Sequence, residues 1–85
     1  MCFEGGCGSC VVSFSHRNAF TKKVRRFSVN SCLCFLHSCH GWDIETNEGI
    51  GNKKTGYHVL QTRLAHFNGT QCGYCSSGMV MNMYR

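Results

Sequence analysis

The sequence predicts a small α+β fold. Residues 11–29 alternate in the manner of two strands, and the pattern turns helical from His58 onward. A stretch dense in cysteine and glycine, Met1–Cys10, stands ahead of both. With 85 residues the chain sustains only a small core, and eight cysteines suggest that metal or disulfide bonds help hold it.

Met1–Cys10 reads M-C-F-E-G-G-C-G-S-C and carries Cys2, Cys7 and Cys10 at C-x4-C-x2-C spacing, with Cys32 further on. Three cysteines so spaced, followed by a distant fourth, form the plant-type ferredoxin pattern, in which four thiolates hold a [2Fe–2S] cluster. Gly5, Gly6 and Gly8 fit such a loop, which must turn tightly and aim backbone N–H groups at sulfur. Val11–Ser15 reads as a strand, His16–Lys23 as a hairpin connection and Val24–Val29 as the return strand, with Phe27 and Val29 on one face. That return brings Cys32 back to the first three cysteines.

The next segment is less regular. Leu33, Phe35 and Leu36 are expected in the core, and Cys34 and Cys39 as small buried fillers. Asp43–Thr46 reads as a short strand, 47–51 as a turn and 52–56 as the seam between two halves. Val59, Leu60, Leu64 and Phe67 share one face of a helix that Gly69 stops. A turn holding Cys72 and Cys75 leads to a second helix over Met79–Tyr84, with Ser76 or Ser77 as its cap and its three methionines packed on more than one side.

Charge and motif exclude several functions. The net charge is +5, and Arg17, Lys22, Lys23, Arg25 and Arg26 supply much of it from the hairpin. A solvated hairpin tip explains this run better than nucleic-acid or membrane binding, neither of which is expected. The same charges are expected to raise the potential of a neighbouring cluster. The start carries neither a basic n-region nor an apolar h-region. Reduced thiols acting as ligands in the cytoplasm therefore fit better than a secreted disulfide framework. The five histidines read as surface or packing residues, and no Ser/His/Asp or Cys/His constellation stands out, so no substrate chemistry is expected of this chain alone. Taken alone, Cys72-x2-Cys75 is open between half a zinc site, a redox pair and half an iron–sulfur site. A zinc-binding or otherwise structural cysteine-rich segment without redox activity is the alternative function.

With both cysteine motifs in order, the chain resembles the iron–sulfur region of the molybdenum hydroxylases, the aldehyde oxidase and xanthine dehydrogenase group. The resemblance is carried by Glu4–Val12, Ser28–Leu33, Glu48–Gly51 and above all by Gly69–Cys75 followed by Gly78–Tyr84. It runs over nearly the whole chain except the hairpin at 16–23. It implies a truncated β-grasp, ferredoxin-like unit over 1–51 holding one [2Fe–2S] cluster through Cys2, Cys7, Cys10 and Cys32. It also implies the start of a helical [2Fe–2S]-binding unit over 52–85, with Cys72 and Cys75 as half of a second site. Gln71 would hydrogen-bond a pterin. Electrons would pass from a molybdopterin centre through the two clusters to FAD, both cofactors held by other domains of a homodimeric oxidoreductase. The family's opening hairpin and helix, its last two cysteine ligands and its prolines after His58, near Phe35 and at Ser77 have no counterpart here. On that ground the chain is expected to be an incomplete or decaying copy of the family region, poorly stable alone.

Overall fold

A computed structural model describes residues 1–85 in full. Two strands, β1 (Val11–Arg17) and β2 (Val24–Asn30), form an antiparallel hairpin, and a short β3 (Asp43–Glu45) pairs antiparallel with the other edge of β1. Three helices follow: a single turn α1 (Asn47–Ile50), then α2 (Val59–His66) and α3 (Ser76–Tyr84). The α+β class expected from the sequence is the class observed.

The register divides the side chains of β1 between two covered faces. Val12 opposes Val29 and Phe14 opposes Phe27, so these four share one face, as the alternation predicts. Trp42 closes that face, with ring centroids 6.0 Å from Phe14 and 5.1 Å from Phe27. It also stacks on His16 at 4.6 Å, and His16 pairs across the hairpin with Arg25. The strand therefore runs two residues past its expected end, and the connection shrinks to 18–23. There Asn18 Oδ1 accepts the N–H groups of Phe20 and Thr21, a polar turn built by the side chain itself.

The opposite face carries Val11 and Ser13, and α3 lies on it. Val80 and Met81 are buried there, Met81 completely. Met79 and Met83 are exposed, so only one of the helix's methionines packs, contrary to expectation. Ser28 on β2 donates its hydroxyl to Asn82 Oδ1. Neither Ser76 nor Ser77 caps α3: both lie inside it, and Cys75 occupies the cap position in an αR conformation. Ser77 instead donates its hydroxyl to the Ser9 carbonyl at 3.2 Å. The small core is thus shared between the first and second halves of the sequence.

Helix α2 starts with a capping box not foreseen in the sequence. His58 Nδ1 accepts the Leu60 N–H at 3.2 Å, and Gln61 Oε1 accepts the His58 N–H at 2.9 Å. The Gln61 amide also donates to the Asn47 and Gly51 carbonyls, which ties α2 to α1. At the far end Asn68, at φ +55°, takes the left-handed position, one residue before the expected stop. Val59 and Phe67 are exposed, whereas Leu60 and Leu64 are half-buried, so the expected four-residue face is only half covered.

The expectation that Leu33, Phe35 and Leu36 enter the core fails. They are 59%, 71% and 89% exposed. Residues 31–33 and 36–39 form two 3-10 turns, which are too short to present an amphipathic face to the sheet.

One contact controls how closely α3 approaches the sheet. A Cβ at Gly78 would lie 1.9 Å from the Gly8 carbonyl oxygen and 2.8 Å from its carbon, both backbone atoms. Alanine normally improves a helix interior by about 1 kcal/mol, but here the clash dominates. Gly78→Ala is expected to cost about 1–3 kcal/mol net, whereas Gly49→Ala, whose Cβ meets only Glu45 Cγ at 3.7 Å, should be neutral or stabilising. Urea unfolding of the two variants checks this, and equal midpoints would count against the close approach.

Candidate metal centre

The cysteine loop runs straight into β1, and the hairpin register returns Cys32 to it. Val11 pairs with Asn30 at the end of the ladder. Beyond that pair, Ser31 gives both its N–H and its hydroxyl to the Cys10 carbonyl, at 3.3 and 2.8 Å. Asn30 Nδ2 donates to the Gly5 carbonyl at 3.5 Å. Gly5 has φ +78°, a left-handed conformation that glycine adopts without strain, and a Cβ there would only push aside the exposed Leu33 side chain, whose Cδ1 would be 2.7 Å away. Gly8 also has positive φ, but Gly6 does not, and Phe3 at φ +61° takes a left-handed position that no glycine marks.

Backbone N–H groups point at sulfur. Cys7 N–H donates to Cys2 Sγ at 3.4 Å, Ser9 N–H to Cys7 Sγ at 3.5 Å, and Cys32 N–H to Cys10 Sγ at 3.5 Å. The Ser9 hydroxyl lies 3.3 Å from Cys7 Sγ. Such donors favour thiolate over thiol. The N–H groups of Glu4 and then Cys7 lower the Cys2 pKa to about 6. The Ser9 hydroxyl and N–H lower Cys7, and the Cys32 N–H lowers Cys10. Cys32 moves the other way, because of desolvation and then its contact with the Cys10 thiol, and it also feels the charge of Cys2. The structure thus brings together two thiol pairs, Cys2 with Cys7 and Cys10 with Cys32, on one end of the sheet. Ser9 and Ser31 support them, and only their places beside cysteines mark them in the sequence.

The donor set bears on what such a site accepts. No three His, Cys, Asp or Glu side chains converge in the metal-free chain as a single tetrahedral ion would require. A [2Fe–2S] cluster needs four thiolates shared between two irons. Two thiol pairs, with N–H donors on three of the sulfurs, supply the number and type of ligands that such a cluster would take.

The other expected site residues stand apart. Cys72 and Cys75 are exposed, and the Cys75 thiol donates to Met79 Sδ at 3.8 Å. Two thiols alone do not complete a cluster site. Gln71 is exposed. Cys34 and Cys39 are half-buried side by side instead of filling the core, with sulfurs 3.5 Å apart. The histidines do packing work: His16 stacks on Trp42, His58 caps α2 and packs on Tyr84, and His37 stacks on Phe35.

The far end of the basic run is remote from the thiol loop. Arg17 pairs with Val24, six residues along β1 from Val11, which is about 20 Å of strand. Lys22 and Lys23 lie beyond that, and exposed charges at such separations are screened across about two Debye lengths. Any rise in potential from this hairpin would therefore come from Arg26, which pairs with Ser15 four positions from Val11, about 14 Å of strand, more than from Arg17, Lys22 or Lys23. In the metal-free chain, alkylation of Cys2 should reach half its plateau rate at a pH of about 6, while that of Cys32 should still be climbing at 9.0, the ordinary thiol value. Peptide-resolved labelling with iodoacetamide checks this, and superimposable pH profiles would contradict it.

Residues 46–85 match the family described as a [2Fe-2S] binding domain. Over 83 residues, 98% of this chain, the sequence is 51% identical to aldehyde oxidase 1 of Oryctolagus cuniculus and 51% identical to a xanthine dehydrogenase of Oryza sativa subsp. japonica. It is 49% identical to an indole-3-acetaldehyde oxidase of Zea mays over the same share. The chain spans about 6% of the length of each of these relatives. The chain belongs to the [2Fe–2S]-binding region of the aldehyde oxidase and xanthine dehydrogenase family.

Proposed function

We propose that this chain is an electron-transfer segment whose one complete [2Fe–2S] site is Cys2, Cys7, Cys10 and Cys32. The observation that carries this reading is the set of two thiol pairs at one end of the β1–β2 hairpin, with backbone N–H groups on three of the four sulfurs. When bound, the cluster accepts and releases one electron at a time. The chain's own residues orient the sulfurs, keep Cys2, Cys7 and Cys10 disposed to thiolate, and hold N–H donors where negative charge increases on reduction. Fewer or longer N–H···S contacts would lower the potential.

Cys72 and Cys75 are read as half of a second site, which needs two further thiolates from elsewhere in a longer protein. Residues 1–51 and 52–85 are then two units, each carrying one cysteine site. The Ser77–Ser9 hydrogen bond and the Gly78–Gly8 contact hold the helix that follows Cys75 against the first loop. In the full enzyme the route runs from a molybdopterin centre, with Gln71 on the pterin, through the two clusters to FAD. Those cofactors belong to the remaining domains of a homodimeric, cytoplasmic oxidoreductase. No helix here is long and apolar enough to cross a membrane.

Anaerobic reconstitution with iron and sulfide tests the assignment. A ferredoxin-like visible spectrum, with an electron paramagnetic resonance signal after reduction, is expected. It should be lost in Cys32→Ser and kept in a Cys72→Ser/Cys75→Ser double variant. A signal that survives Cys32→Ser, or a colourless metal-bound chain, would overturn it. In the reconstituted protein, neutralising Lys22 and Lys23 should leave the midpoint potential unchanged on redox titration, and a clear negative shift would make the hairpin tip a tuning element.

A further inference from the structure

Two of the eight cysteines belong to neither cysteine site, yet they face each other. Cys34 and Cys39 have sulfurs 3.5 Å apart, within the segment C-F-L-H-S-C. Both are free thiols and half-buried. A disulfide needs S–S of about 2.05 Å, so the sulfurs must approach by about 1.5 Å, within reach of small side-chain rotations.

The backbone already holds the pair in place. Cys34 ends the first 3-10 turn, its N–H donating to the Ser31 carbonyl at 3.3 Å. Cys39 ends the second, which is closed by Ser38 N–H to the Phe35 carbonyl at 3.0 Å and followed by Trp42 N–H to the Cys39 carbonyl at 3.1 Å. Both thiols lean over the same intervening carbonyl, that of Phe35, at 3.9 Å for Cys34 and 3.4 Å for Cys39. Leu33, Phe35 and Leu36 around them are exposed, so a small reagent reaches the sulfurs without unfolding the core. Cys32, two residues earlier, is committed elsewhere: its N–H faces Cys10 Sγ.

We propose that Cys34 and Cys39 are a redox modification site that closes to an intramolecular disulfide by exchange with a low-molecular-weight disulfide. One thiol, as thiolate, attacks a sulfur of the small disulfide, forming a mixed disulfide and releasing one small thiolate. The second thiol loses its proton and attacks the protein-side sulfur, forming the Cys34–Cys39 bond and releasing the other small thiolate. Two electrons leave the protein thiols, and the small disulfide becomes two thiols. The short segment and fixed turns favour this ring closure over capture of the mixed disulfide by a distant cysteine.

The test is to equilibrate the whole chain in a graded series of reduced and oxidised glutathione. Acid quenching, alkylation and chymotryptic digestion follow, and cleavage after Leu33 and Leu36 leaves Cys32, Cys34 and Cys39 on separate peptides. The expected result is loss of alkylation at Cys34 and Cys39 together, with their two peptides joined and separated again by reduction. In Cys34→Ser the joined pair should be absent and Cys39 should be alkylated or carry glutathione; Cys39→Ser should behave reciprocally. Both thiols staying alkylatable across the series, or Cys39 joining Cys32 in place of Cys34, would overturn the proposal. Neither result bears on the cluster assignment, which reconstitution tests separately.

Discussion

The pairing of Val11 with Asn30 governs the rest of the molecule. It is the last rung of an antiparallel ladder, and it decides which residues stand beside Cys10 when β2 leaves the sheet. Side chains alternate along a strand, so a slip of one residue would exchange the faces of Phe27 and Ser28. Phe27 would leave Phe14 and Trp42, and Ser28 would leave Asn82. Hydrophobic contacts on one face and a polar contact on the other thus select the register that returns Cys32 to the loop. The site's geometry is a consequence of packing several residues away from any sulfur.

That packing is thin. Only eight residues are buried, and they come from the cysteine loop, β1, the end of α1 and α3. Small chains with such limited burial draw stability from bound metal when they have it. The thiol loop and the core are therefore parts of one balance. Glycine at position 78 lets the helix touch the loop backbone, Val80 and Met81 fill the space behind, and the loop in turn presents its sulfurs.

Residues whose patterns are local and periodic were legible in the sequence. The hairpin, the common face of Phe27 and Val29, and the two main helices follow from periods of two and near four. So does the return of Cys32, because a hairpin leaves it no other place. The apolar run around Leu33–Leu36 misled, since composition without period does not say which way a chain faces. Ser76 and Ser77 have the chemistry of caps, but Cys75 had already turned helical, and Ser77 found a carbonyl in the other half of the chain. The partnership of Cys34 and Cys39 depends on two consecutive 3-10 turns, which leave almost no pattern to read.

The length of the β1–β2 ladder has a consequence for handling the protein. Seven paired positions separate the polar turn at 18–23 from the thiol loop, and that turn closes on its own side-chain and backbone hydrogen bonds. The full length of the ladder lies between it and the Cys2–Cys10 loop. Extra residues, an affinity handle or a spectroscopic label inserted there would lengthen one end of the sheet and leave the other end as it is.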